Sequence, residues 1–303
     1  MRVSLLNLKV IRLVAIFGLA SLIVSCTSEG SKSGEGDTEV DKEALQKEKL
    51  VKEAKKVMYS LPSPIETAML IKRAGADYNE EILNPVSNVS KYNTNKDKAL
   101  NMGVYGADLS YASIFDQTQT VMKYMQVSKK LADDLGLLSS IDSKIVERLE
   151  NNVNDRDSII RIISETFMNS NSTLKEDNRP AIAAMILAGG WIEGLYIATT
   201  LAQDVKQEEL VARIVDQRLS FNEMQKLLES NSDNQEIVQI IESLSGVKEA
   251  FAAIRVETTE IVPVTDKESK VTTLKSKSKH SLTQEQFDKL KKETIALRNS
   301  IIE

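Results

Sequence analysis

The chain has 303 residues, with 39 Lys and Arg against 44 Asp and Glu and a formal charge of −5. An acidic balance disfavours nonspecific contact with nucleic acid or anionic headgroups, since both need cationic surface. One histidine and one cysteine leave too few ligands for a His- or Cys-based zinc cluster, while 12 Gly, 5 Pro and 5% aromatic residues fit packed helices.

The N-terminus has the order of a secretory signal: basic Arg2, Lys9 and Arg12, the apolar stretch Leu13 to Val24, then Ser25 before Cys26. The apolar stretch is short of the roughly 20 residues that a membrane-spanning helix needs. Ile23-Val24-Ser25-Cys26 resembles the lipobox of bacterial lipoproteins. That resemblance implies thioether lipidation of Cys26, cleavage before it, and acylation of the new N-terminus with a palmitate-type chain. Loss of residues 1–25, which carry three bases and no acid, takes the formal charge from −5 to −8. Membrane attachment then comes from the lipid, and more than one acyl chain makes it stable. Thr27 in place of aspartate after the cysteine resembles sorting to the outer membrane of a Gram-negative bacterium.

Residues 26–37 read as the lipidated cysteine and a flexible tether, because Thr27 to Asp37 is glycine, serine and charge with no apolar residue to bury. A Gly/Ser-rich segment of this length reaches about 20 Å. Residues 38–60 read as a charged, solvated helix, with Leu45, Leu50, Val51, Ala54, Val57 and Met58 roughly at helical spacing.

From residue 61 to 257 the spacing predicts an all-α, bundle-like globular body. Ser63-Pro64-Ile65-Glu66 has capping-box form and opens a helix that runs to Ala74 and stops at Gly75. Thr94-Asn95-Lys96-Asp97 opens a second region, broken near Phe115 and resuming to Leu135 and Gly136. Further helices are predicted over Ser140 to Glu150, Asp155 to Leu174, Pro180 to Ala202, Gln207 to Ser230, Asn234 to Leu244 and Val247 to Glu257. Met122, Met125 and Met185 read as core packing. Residues 258–282 form an extended segment and basic linker, in which Ile261 to Val264 and Lys270 to Leu274 make either a small β-ribbon or a polar loop. Thr283-Gln284-Glu285-Gln286 opens a last helix, residues 283–303, with Phe287, Leu290, Ile295, Leu297 and Ile301 as candidate buried positions.

The residues that chemistry would need are scarce. A Ser-His-Asp triad would have to use His280, which lies in the basic linker with no supporting motif. Gly103-Val104-Tyr105-Gly106 and Gly189-Gly190-Trp191-Ile192-Glu193-Gly194 lie within helical patterns, where neither forms a phosphate cradle. No catalytic residue, metal ligand or cofactor is assigned.

One acid stands out. Ala181 to Ala202 is apolar around its circumference and carries Glu193 as its only charge, which marks a central core helix in preference to a membrane span. A buried carboxylate must be neutral, paired or beside a water-filled cavity. Gly190 and Gly194 would admit a neighbouring backbone. Asn101, Tyr105, Asp108 and Tyr111 recur on one face of the earlier long helix and could meet Glu193, with Arg73 or Arg179 as the positive partner. Either these groups form a satisfied network that fixes helix register, or Glu193, Asp108, Tyr105, Asn101, Tyr111 and Trp191 line a ligand pocket. A carboxylate-based hydrolase is the least favoured reading.

Cys26 with its lipobox, the polar tether, and the segments Gly103 to Asp108 and Ala188 to Gly194 together resemble the helical lipoproteins of unassigned function found in Gram-negative bacteria of the Bacteroidota type. The resemblance implies an envelope address and supplies no catalytic residue. The expected protein is therefore a lipid-anchored, non-catalytic binding or structural module of the cell envelope. Its partners are the membrane, reached through the lipid, and an envelope protein or a small ligand, with no nucleic acid.

Overall fold

A computed structural model describes residues 64–73, 75–137, 147–148, 151–152, 155, 158, 161–162, 179–202, 205, 207–258, 262–265, 272–275 and 278–303. The signal segment, Cys26, the tether, the charged helix, Ser63 and most of the two helices expected between residues 140 and 174 lie outside these residues. What is described is an all-α body with two short β-ladders near its C-terminal end.

Helix α1 spans Pro64–Arg73, with proline in its first turn and Gly75 just beyond it at φ +80, a conformation glycine adopts without strain. Two 3-10 turns, Glu80–Ile82 and Val86–Lys91, lead to α2, Asn95–Ile114. The capping box at Thr94 is formed in full: Thr94 Oγ1 accepts from the Asp97 amide at 3.0 Å, and Asp97 Oδ2 accepts from the Thr94 amide at 3.3 Å. The break expected near Phe115 is a turn in which Asp116 sits at φ 59, left-handed backbone that aspartate tolerates better than most residues. The chain resumes as α3, Thr118–Asp134, which ends against Gly136 at φ +70.

Helix α4, Pro180–Leu201, is central. It is the one described helix long and apolar enough to cross a membrane, yet 78% of that apolar window is buried inside the protein. It packs against α1, α2, α5 (Glu208–Glu229) and α8 (Gln284–Ile302). The α2–α4 seam brings two backbones into close contact. A Cβ on Gly189 would lie 1.9 Å from the Leu100 carbonyl oxygen, and one on Gly103 would lie 2.0 Å from that of Ile186. The backbone approach uses Gly103, Gly189 and Gly190, of which Gly190 was expected from sequence. Met125 and Met185 are buried and Met122 packs against the core, as their apolar positions predict.

Helices α6, Gln235–Ser243, and α7, Ser245–Ala252, follow. The last of these ends earlier than the expected Glu257, because residues from Arg255 turn extended: Val256 and Thr258 are β-branched and favour a strand. Strand β1, Arg255–Thr258, pairs antiparallel with β4, Ser278–Ser281, and β2, Val262–Thr265, pairs antiparallel with β3, Thr272–Lys275. The ribbon alternative is thus the one adopted, and it extends into the stretch read as a basic linker, where His280 pairs with Val256. Three residues separate β1 from β2 but two separate β3 from β4, so the register steps by one between the ladders. A two-stranded ladder has only edge strands, which accommodates Pro263.

Helix α8 begins at a second complete capping box, Thr283 with Gln286. Of its expected buried positions, Phe287, Leu290 and Leu297 are buried, while Ile295 and Ile301 are only partly covered. The buried stripe instead includes Thr294, Arg298 and Ile302. The helix is rotated toward an interior that contains a charge.

Candidate functional site

The interior charge is Glu193, on α4 and fully buried. Its partner is Arg298 of α8, 105 residues along the chain and only 5% exposed. Arg298 Nε donates to Glu193 Oε2 at 3.0 Å and Nη2 donates to Oε1 at 3.2 Å, a two-pronged pairing that matches the planar fork of guanidinium to carboxylate. Nη2 also donates to the Ile82 carbonyl at 3.1 Å, and the guanidinium carbon stands 4.4 Å from the centre of the Tyr196 ring. Neither of the partners considered from sequence fills this place. Arg73 is exposed, and Arg179 donates to the Leu135 carbonyl at 2.7 Å.

Asp108 of α2 completes the cluster. It is fully buried, and its Oδ2 accepts from the Asn84 amide at 3.1 Å. Its Oδ1 has no hydrogen-bond partner, and the Glu193 charge acts on it within the same buried cluster. Burial pushes the Asp108 carboxyl well above the usual carboxylate range and the Glu193 charge pushes it further, against Arg298 and the Asn84 amide. Burial raises Glu193 too, while Arg298 opposes it directly. Asp108 is thus the carboxyl pushed harder toward its neutral form, while Glu193 is the one that Arg298 holds directly. Burial alone would lower Arg298, but Glu193, with Tyr196 and Asp108 behind it, raises it overall, so the guanidinium remains charged.

Around this centre a polar collar ties the 76–93 segment to the helices. Asn84 donates to the Tyr92 hydroxyl at 2.9 Å and to Asn101 Oδ1 at 3.3 Å, and its own carbonyl accepts from the Tyr124 hydroxyl at 2.9 Å. Asn101 donates to the carbonyls of Asp97 and Ile301, both at 2.9 Å, joining α2 to the end of α8. The Tyr105 hydroxyl donates to the Pro85 carbonyl at 2.9 Å. Desolvation raises the Tyr92, Tyr105 and Tyr124 hydroxyls, which stay neutral donors.

The structure thus brings Glu193, Asp108, Asn101 and Tyr105 together and separates two other sequence candidates. Tyr111 lies at the far end of the same face, accepting from the Asn79 amide at 3.0 Å and stacking on Tyr78 with ring centres 5.2 Å apart. Trp191 is two residues from Glu193 on α4 and so faces elsewhere. Its Nε1 donates to Ser220 Oγ at 3.0 Å, and its ring packs against Phe221 and Phe251. Sequence reasoning missed Arg298, Asn84, Tyr92, Tyr124 and Tyr196. Arg298 carried a usable signal, since it lies on the helical stripe that joins Leu290 and Thr294 to Ile302. Among the described residues no group of three or more His, Cys, Asp or Glu is placed to hold a metal ion.

The site is two buried carboxyls and one guanidinium inside an all-α body. The chain matches no protein-family model, no curated protein and no solved structure.

Proposed function

We propose that this protein is a lipid-anchored helical module of the bacterial cell envelope that works by binding or scaffolding, without catalysis. The observation that carries the reading is the closure of its interior polar cluster. Glu193, Arg298, Asn84 and Asn101 are spent on one another and on backbone groups, and Asp108 accepts from the Asn84 amide through Oδ2, joining α2, α4, α8 and the 76–93 segment. Groups already paired in this way supply few polar contacts to an interior small ligand, which favours an exterior surface as the working part. The lipobox-like Ile23-Val24-Ser25-Cys26 supports an address at the outer membrane. A lipid tether raises the local concentration of such a surface against an envelope partner with no chemistry at all.

The test is fractionation and crosslinking of the wild type and Cys26→Ser in cells. The wild type should partition with membranes and detergent phase, and Cys26→Ser should move to the soluble fraction and lose its envelope crosslinks. Unchanged fractionation of Cys26→Ser removes the anchor from the proposal.

A further inference from the structure

Arg298 brings one positive charge to a buried site that holds two carboxyls, Asp108 and Glu193. It belongs to α8, the last helix, while both carboxyls belong to the body beneath it, on α2 and α4. Docking of α8 and charge balance of the core are therefore the same event.

We propose that Asp108, Glu193 and Arg298 form a proton-holding latch, in which one proton retained between the two carboxyls keeps α8 closed on α2 and α4. With the proton present the site is neutral, Asp108 donates to Glu193, and Glu193 accepts both prongs of Arg298. Without it, two carboxylates face one guanidinium away from water, and the site carries an uncompensated negative charge that burial disfavours. Opening α8 withdraws Arg298 and admits water, so both carboxyls ionise at ordinary values near pH 4.

The closed state binds one proton more than the open state, so the opening constant rises about tenfold per pH unit above roughly pH 4. The stabilisation is complete below the ordinary carboxylate pKa and is lost as pH rises through the raised pKa of Asp108. The facing tyrosines and Arg298 do not titrate in that window, and Glu193, itself raised by burial and held by Arg298, is the second carboxyl of the latch. Glu193 and Tyr196 face Asp108 from α4, Arg298 from α8, Tyr124 from α3, Tyr78 and Tyr92 from the 76–93 segment, and Tyr105 from its own helix. Every one of these tyrosine hydroxyls is raised, Tyr78 to about 12, and Arg298 is held above its ordinary range. From α1, Lys72 is engaged with the Ile114 carbonyl and Asp116, and Arg73 is exposed.

The latch is independent of where the protein is anchored, and its test uses the full chain. Amide hydrogen exchange of residues 284–302, corrected for intrinsic rates, is measured from about pH 5 to about pH 9 for the wild type and Asp108→Asn. The wild-type opening constant should climb about tenfold per unit until Asp108 ionises. The carboxamide introduced by Asp108→Asn is neutral at every pH and can still donate to Glu193, so the profile of that variant should be flat. Equal slopes in the two proteins, or a flat wild-type profile, overturn the proposal. The infrared carbonyl stretch of a protonated carboxylic acid at neutral pH reads the same proton without depending on any variant's folding. Its absence from the wild type overturns the latch; its presence, with loss in Asp108→Asn, supports it.

Discussion

At the scale of single residues, the Glu193–Arg298 pair gives the sharpest expectations. Removing one member strands the other in a dry interior, which costs about 3–5 kcal/mol for buried pairs. Arg298→Met and Glu193→Leu should each destabilise by that order in denaturant unfolding. The double variant should recover much of the loss, because a hydrophobic pair of similar volume needs no desolvation of charge. A double variant as unstable as the two losses combined would show that the pair is not coupled. The glycines of α2 supply a second contrast. Gly106 has nothing within 4 Å of an added Cβ, so Gly106→Ala should stabilise by about 0.5–1 kcal/mol through helix propensity. Three residues earlier, Gly103→Ala drives a methyl into the Ile186 backbone and should destabilise by about 3 kcal/mol or more. Thermal unfolding of the two variants side by side checks both signs.

At the scale of elements, helix ends are set locally and helix faces are not. Both capping boxes, at Thr94 and Thr283, were legible because Thr-x-x-Asp and Thr-x-x-Gln place a reciprocal pair of hydrogen bonds within one turn. Thr94→Ala and Thr283→Ala should each cost about 1 kcal/mol in chemical denaturation, with the Thr283 effect concentrated in exchange of the α8 amides. The break at Asp116 and the stops at Gly75 and Gly136 were legible for the same local reason. The face of α8 was not. Hydrophobicity alone selects Ile295 and Ile301, whereas the ion pair turns Thr294 and Arg298 inward and leaves those isoleucines at the edge. The end of α7 was also misjudged, because the pairing of β1 with β4 offers Val256 and Thr258 backbone partners that helix propensity does not count.

At the scale of the whole molecule, α4 organises the body, and its position explains why so apolar a helix carries an acid. It is covered by α1, α2, α5 and α8, and Gly189 and Gly190 let α2 approach backbone to backbone, with Glu193 and Asp108 in the same buried cluster. Deleting residues 27–37 should leave the melting temperature of the body unchanged, because Thr27 to Asp37 has no apolar side chain to bury in a core. A large fall in that temperature would place part of the folded body within those residues.

The sequence by itself determined the all-α class, most helix ends in the described residues, the central burial of α4, and the requirement that Glu193 be partnered. Each of these follows from composition, periodicity or chemistry within a few residues of chain. Only the tertiary structure decided that the partner is Arg298, that Asp108 joins the same buried cluster, and that Asn84 and Tyr92 complete the collar. Glu193 and Arg298 are 105 residues apart, and no periodicity carries information over that distance. The pairing is set by which helix face meets which once the glycine seam between α2 and α4 has closed.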